Sequence, residues 1–181
     1  MTLKTAREIC EYLNLDFKIP TDFKVTFTKK TLPFTTPIKI GENIILTEKP
    51  YLRLILTDYE DVKGYSEISP LDGLNKESLE QVIDQVSKLM FFKCSIQNLN
   101  DLFTKNMFKD FNLYPSVSFG LSMAFLDYIA SKLNKSIPKL CMIKTRKVKI
   151  NALIQGSLSD MRNKFNRHIE NNYEVFKIKC G

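Results

Sequence analysis

The sequence predicts an α+β fold, in which an antiparallel meander of strands is followed by helices and then by the opening of a parallel α/β domain. Three observations support this prediction. Aromatic and β-branched residues alternate early in the chain, as in Phe23–Thr28, with the period of a half-buried strand. The apolar period becomes helical from Lys76, and a strand–helix–strand pattern follows Pro138. With 181 residues, 44% of them hydrophobic, the chain is long enough to bury a core.

The first third of the chain predicts mainly strands. Met1–Leu15 has the spacing of a short amphipathic helix, and Asp16–Asp22 is expected to be a connection. Alternating segments then predict strands at Phe23–Thr28, Asn43–Thr47, Tyr51–Thr57 and Gly64–Ile68. Two prolines and a glycine predict a loop over Leu32–Gly41, whereas Tyr59–Asp61 forms a turn and Ser69–Gly73 ends the meander.

The middle of the chain predicts three helices. The first covers Lys76–Phe92, with Asn75 as its N-cap and Glu77 in the first turn, where the helix dipole favours a carboxylate. The second covers Leu99–Phe108. The third covers Pro115–Leu133, and its apolar face predicts a helix packed on the core.

The last forty residues predict a βαβ unit. Val148–Ile154 and Tyr173–Lys179 have strand character, and Leu158–Asn171 between them has helical spacing, with Ser157 or Ser159 as its cap. A strand, a crossover helix and a second strand imply parallel pairing with a right-handed connection.

Several classes of protein are excluded by the composition. The four cysteines are far apart and form no C-x-x-C pair, and His168 is the sole histidine, so we predict neither a zinc site nor a disulfide framework. His168 falls out of phase with the apolar side of its helix, which favours a surface position. Met1–Leu15 lacks the apolar run of a signal peptide, and no segment is apolar enough to span a membrane, so we expect a cytoplasmic protein without a membrane partner.

The positive charge favours a solvated surface. The net charge is +7, but the basic residues are scattered, and the densest stretch, Lys144–Lys149, has no interleaved glycines and aromatics after it. We therefore expect no nucleic-acid partner. A basic nucleic-acid-binding α+β domain remains an alternative, to be tested by salt-dependent binding.

Lys177 and Lys179 are the candidate chemical residues. Side chains alternate along a strand, so the two lysines of Lys177-Ile178-Lys179 point to the same side. Like charges this close are costly on a buried face unless a site uses them, so the pair is a plausible proton-transfer site. The alternative is a solvated strand end.

Six segments in order resemble the enolase superfamily, and most closely its o-succinylbenzoate synthases of menaquinone biosynthesis. They are Thr31–Phe34 with Pro37–Lys39, Tyr51–Leu54 with Gly64–Leu71, Leu74–Leu79, Pro115–Ala124 with Asp127, Val148–Gly156, and Lys177–Lys179. Ser66 stands where that family usually has glycine. The resemblance implies an N-terminal extension over residues 1–30, a capping domain over 31–143, and the beginning of an incomplete (β/α)8 barrel over 144–181, with the boundary near Cys141–Lys147.

The resemblance also implies a site. Lys179 would be the base that removes a proton α to a carboxylate, and Lys177 would tune its charge and position. Ser69, Pro70 and Leu71, in a capping-domain loop over the barrel mouth, would contact substrate. The complete family enzyme uses Mg²⁺ held by acidic residues of later barrel strands, so we expect no metal site in this chain alone.

The implied function is a Mg²⁺-dependent lyase that dehydrates a small carboxylate substrate. Because later barrel strands are missing from the 181 residues, we expect a complementing C-terminal barrel chain or self-association, and little activity from this chain alone. Two alternatives stay open. The chain is a non-catalytic remnant or interaction module, or it belongs to another enolase-superfamily dehydratase or racemase.

Overall fold

The computed structural model describes residues 22–40, 44–71, 73–89, 91–93, 112–140 and 147–179. The chain divides into two compact units, residues 1–143 and 144–181. The helices expected over 1–15 and 99–108, and all four cysteines, lie outside the described residues. No described helix is long and apolar enough to cross a membrane.

The first unit is built on an antiparallel sheet with the strand order β3-β2-β1-β4. Its strands are β1 (Asp22–Ile40), β2 (Ile44–Thr57), β3 (Lys63–Ile68) and β4 (Phe91–Lys93). Side chains from alternate positions of β1 and β2 fill one face, so Phe23, Val25, Leu52, Leu54 and Leu56 are buried. The meander predicted from the sequence is therefore confirmed.

The long β1–β2 hairpin corrects two predictions. The loop expected over Leu32–Gly41 is strand as far as Ile40, and the two strands expected within 43–57 are one strand through Pro50. The prolines act locally, because the β1–β2 register shifts between Pro33 and Ile38 where the ladder lacks N–H donors. The residue-30 boundary expected for the N-terminal extension also falls inside β1.

The first described helix is shorter than predicted. Helix α1 covers Leu79–Ser87 and is capped by Ser78, whose hydroxyl accepts the Gln81 N–H while the Gln81 side chain accepts the Ser78 N–H. Asn75, the predicted cap, instead accepts the Leu71 N–H in the preceding turn. Phe91 and Phe92, expected at the end of this helix, instead belong to β4, which pairs with the start of β1.

Helix α2 covers Pro115–Lys132, as predicted, and packs against β3 and β2. Eight of its residues are buried, including Phe125 and Tyr128, whose rings meet Phe23 edge-on with centroids 4.9 and 5.0 Å apart. Gly64 of β3 allows this packing, because a Cβ there would lie 2.0 Å from the Ala124 carbonyl oxygen. A short helix, α3 (Ile137–Leu140), follows.

The second unit is the predicted βαβ. Strands β5 (Asn151–Ile154) and β6 (Val175–Ile178) pair in parallel, and helix α4 (Leu158–Glu170) connects them. Both strands are shorter than predicted, since 148–150 and 173–174 lie outside the ladder. Ser157, one of the two caps considered, forms a capping box with Asp160. His168 is half-buried against Tyr173.

Candidate functional site

The parallel strands place the two candidate lysines on the face opposite α4. Ala152 and Ile154 are buried on the helix side, and Phe176 of β6 contacts Phe165 of α4 with ring centroids 4.9 Å apart. Lys177 pairs with Leu153 and points away from the helix by strand alternation. In a (β/α)8 barrel the helices lie outside, and the strand face opposite the helices lines the barrel interior.

Lys179 follows the last residue of β6 and keeps the strand's direction. Its N–H donates to the Ile154 carbonyl at 2.9 Å, so the ladder holds its main chain. Both lysine side chains are exposed. The side chain of Lys179 therefore lies at the carboxyl end of a parallel sheet, which is the end where barrel enzymes place their chemical groups.

The connection after β5 is stabilised by hydrogen bonds to the first turn of α4. The Ser157 hydroxyl donates to the Asp160 carboxylate at 2.6 Å, and the Ser157 N–H donates to the same oxygen at 3.2 Å. These hydrogen bonds lower the pKa of Asp160 from its ordinary value. From the second turn of α4, Lys164 donates to the Gln155 carbonyl at 2.8 Å.

The three residues predicted to contact substrate follow β3 and have structural contacts of their own. Pro70 is buried, and Ser69 and Leu71 are half-buried. The Ser69 hydroxyl donates to the Pro50 carbonyl at 3.4 Å, and the Leu71 N–H donates to the Asn75 side chain at 2.9 Å. A role in substrate binding for these residues stays a prediction.

A buried carboxylate that the sequence did not single out joins the β2–β3 turn to α2. The Asp58 side chain accepts the Tyr128 hydroxyl at 2.8 Å and the Lys132 ammonium at 3.1 Å, and Lys132 also reaches Glu60 at 2.5 Å. Asp58 further accepts the Glu60 and Val62 N–H groups at 2.9 Å each. The sequence around Asp58 did not indicate its burial or its ion pair, because its partners on α2 lie 70 and 74 residues away.

The balance of forces on Asp58 favours its charged form. Burial opposes ionisation, but the hydrogen bonds from Tyr128, Val62, Lys132 and Glu60 outweigh it and hold the pKa of Asp58 below its ordinary value. Burial and the Asp58 carboxylate raise the pKa of the Tyr128 phenol. Both groups therefore keep one protonation state near neutral pH, which suits a structural network and not a proton-transfer site.

A second buried carboxylate, Glu77, caps α2 and has a different role from the predicted one. Helix α2 begins at Pro115 without a side-chain cap of its own, and Glu77, which is 3% exposed, accepts the Ser116 N–H at 3.1 Å. Hydrogen bonding with Ser116 lowers the pKa of Glu77. The sequence assigned Glu77 to the first turn of the preceding helix, whereas it precedes that helix and stabilises the next one.

The described residues do not fit a magnesium site. Among them, no three His, Cys, Asp or Glu side chains come close enough together to hold a metal ion. No metal-dependent step is therefore assigned to this part of the chain.

Comparison with solved structures gives the fold class. An enolase-superfamily protein from Listeria innocua Clip11262 matches with a TM-score of 0.70 and 20% identity, over 87% of this chain and 44% of that one. A dipeptide epimerase from Cytophaga hutchinsonii, complexed with Mg and a dipeptide, matches with 0.69 and 19%, over 89% and 44%. An o-succinylbenzoate synthase from Thermosynechococcus elongatus BP-1, with Mg in its active site, matches with 0.55 and 17%, over 87% and 42%.

These likenesses define the class as the enolase-superfamily fold, with an N-terminal capping domain of antiparallel strands followed by helices. The model of the family described as MenC, N-terminal domain, matches residues 16–128. The chain belongs to this family, the N-terminal domains of o-succinylbenzoate synthase. It spans less than half the length of the solved structures it matches. No curated protein sequence matches it.

Proposed function

We propose that this chain provides the capping domain and first two barrel strands of an o-succinylbenzoate synthase-type lyase in menaquinone biosynthesis. The observation that carries the proposal is the position of Lys177 and Lys179, at the carboxyl end of a parallel strand and on the face opposite its crossover helix. Membership of the family of MenC N-terminal domains supports the same activity. The proposed reaction is loss of water from a cyclohexadiene carboxylate.

In this proposal Lys179 removes the proton α to the substrate carboxylate. A lysine acts as a base only in its neutral form, and a nearby ammonium favours that form, which is the role proposed for Lys177. Ser69, Pro70 and Leu71 would close over the substrate from the capping domain. When bound in such enzymes, Mg²⁺ stabilises the negative charge that develops as the proton leaves.

The remaining barrel strands and the metal ligands would come from sequence outside these 181 residues. A (β/α)8 barrel has eight strands in about 250 residues, and the described second unit supplies two of them. The proposed source is the rest of a longer protein or a complementing barrel chain, with self-association as the alternative. The proposed location of the reaction is the cytoplasm.

The test is dehydratase activity with Mg²⁺, measured for the chain alone and for the chain mixed with a separately produced C-terminal barrel segment of an o-succinylbenzoate synthase. We expect activity in the mixture and little in the chain alone. Lys179→Ala should lower kcat at least about 1,000-fold, because it removes the proposed base. Lys30→Ala, which removes an exposed lysine of β1, is the matched control and should keep kcat within about twofold.

Two results would contradict the proposal. One is full activity of the Lys179→Ala variant, which would exclude Lys179 as the base. The other is a folded, stable complex with the barrel segment that shows no dehydration, which would favour a non-catalytic interaction module.

Epimerisation is a second candidate, because the dipeptide epimerase matches with a TM-score of 0.69 against 0.55 for the synthase. Both reactions begin with removal of a proton α to a carboxyl group, so the lysine positions do not separate them. Incorporation of deuterium from solvent at the α-carbon of a dipeptide, without loss of water, would identify epimerisation.

A further inference from the structure

One polar side chain follows β5 at the same end of the sheet as Lys179. The parallel register pairs Leu153 with Lys177 and Ile154 with Ile178, so the next residue, Gln155, comes into register with Lys179. The hydrogen bond from the Lys179 N–H to the Ile154 carbonyl shows that the ladder reaches this level.

The alternation of side chains assigns Gln155 to the lysine face. Ile154 and Ala152 are buried on the helix side, and Leu153 between them is 40% exposed on the other side. Gln155, one residue beyond Ile154, returns to the side of Leu153 and Lys177. It is half-buried, whereas Lys177 and Lys179 are exposed.

Several contacts hold the main chain around Gln155. Lys164 donates to the Gln155 carbonyl at 2.8 Å from the second turn of α4. Gly156 has a φ of 124°, a conformation that residues with a side chain rarely adopt, and Ser157 is held by Asp160. These contacts fix the position of the Gln155 main chain, and a positioning residue needs such a fixed attachment point.

We propose that Gln155 is a positioning residue for the Lys179 amine, an inference that rests on the function proposed above. Neighbouring strands lie about 4.8 Å apart, so side chains in register reach each other. The Gln155 amide oxygen accepts an N–H of the Lys179 amine, and this leaves the lone pair of the neutral amine directed at the substrate. Within the two-stranded ladder, Gln155 is the residue that the register brings opposite Lys179.

The test measures whether the side chains of residue 155 and Lys179 lie close together, and it does not require catalysis. Acylation of each lysine by acetic anhydride at pH 8 is followed by peptide mass spectrometry, with Lys30 as the internal reference. A carboxylate beside an ammonium favours the unreactive charged form. Gln155→Glu should therefore slow the acylation of Lys179 about threefold and that of Lys177 less. Leu153→Glu, which places the carboxylate opposite Lys177 on the same face, should slow the acylation of Lys177 more than that of Lys179.

Equal slowing of both lysines by Gln155→Glu, or no slowing of Lys179, would overturn the inference. Because acylation needs no substrate, this result is separate from the dehydratase assay, which tests the proposed function. In an active mixture with the barrel segment, Gln155→Leu should lower kcat about tenfold and leave KM within about twofold. A change in KM alone would assign Gln155 to substrate binding and contradict a positioning role.

Discussion

At the scale of single residues, Asp58 shows how burial and hydrogen bonding together fix a charge. Its side chain is fully buried, yet it accepts hydrogen bonds from four groups, two of them on α2. A carboxylate that receives this many donors is stable inside the protein, whereas asparagine keeps only one acceptor oxygen and turns an NH2 group toward some of the same donors. The contribution of Asp58 to stability therefore depends on the donors that surround it in the folded protein.

We predict that Asp58→Asn lowers the free energy of unfolding by about 3 kcal/mol at pH 7. Because the folded-state pKa of Asp58 lies below its unfolded value, its contribution is present above about pH 4 and is lost as the pH falls through the folded-state pKa. Urea unfolding from pH 7 to pH 3 should show a smaller loss of stability in the variant than in the natural chain. Asp84→Asn, on the exposed side of α1, is the control, and an equal effect there would contradict the assignment.

At the scale of elements, the close approach of β3 to α2 determines the packing of the capping domain. Gly64 and Gly120 both lie where a Cβ would meet the facing element, at 2.0 Å from the Ala124 carbonyl and 2.3 Å from Ile68. Ser66, two residues after Gly64 in β3, buries a hydroxyl that has no hydrogen-bond partner among the described residues. The two glycines therefore allow α2 to approach β3 closely, and this close packing adds to the apolar contacts between them.

Gly64→Ala should destabilise the first unit by about 3 kcal/mol, because the added methyl group meets the main chain of α2 and cannot be accommodated by a rotamer change. Ser66→Ala, two residues along the same strand, is the matched control. It removes an unpaired buried hydroxyl, so we expect no loss and a gain of up to about 1 kcal/mol. Chemical denaturation of both variants measures the difference, and equal destabilisation would contradict the packing argument.

The capping box of α4 gives a second prediction for an element. Ser157→Ala removes the hydroxyl that accepts the Asp160 N–H at 3.2 Å, so the first turn of α4 should lose about 1 kcal/mol of local stability. Ser159→Ala is the control, since the sequence allowed either serine as the cap. Amide hydrogen exchange over 158–164 should accelerate about fivefold in the first variant alone; acceleration in the second instead would assign the cap to Ser159.

At the scale of the whole molecule, the two units differ in how much apolar surface they bury. The described first unit has a continuous core that joins β1, β2, β3, α1 and α2. In the described second unit only Ala152 and Ile154 are buried, and Val148, Ile150 and Leu158 are each more than 60% exposed. Parallel strands are normally covered on both faces, so the second unit has the surface of a structure that packs against further elements.

Hydrogen exchange of the chain alone should therefore separate the two units. We expect amides of β2 and α2 to exchange at least about 100-fold more slowly than those of β5 and β6, because opening the second unit exposes little additional apolar area. Addition of the barrel segment should protect β5 and β6 and leave β2 unchanged. Equal protection in the chain alone would show that the second unit is stable without further cover.

The sequence by itself determined the features that depend on neighbouring residues. These are the meander, helix α2, the βαβ order and the shared face of Lys177 and Lys179, since strand and helix periods are local. Tertiary structure decided the rest. The 33–40 segment stays in the hairpin because β2 pairs with it on either side of the irregularity, and 91–93 is strand because β1 offers it a partner. Asp58 meets Tyr128 and Lys132 only after α2 packs on the sheet, because contacts across 70 residues leave no periodic pattern in the chain.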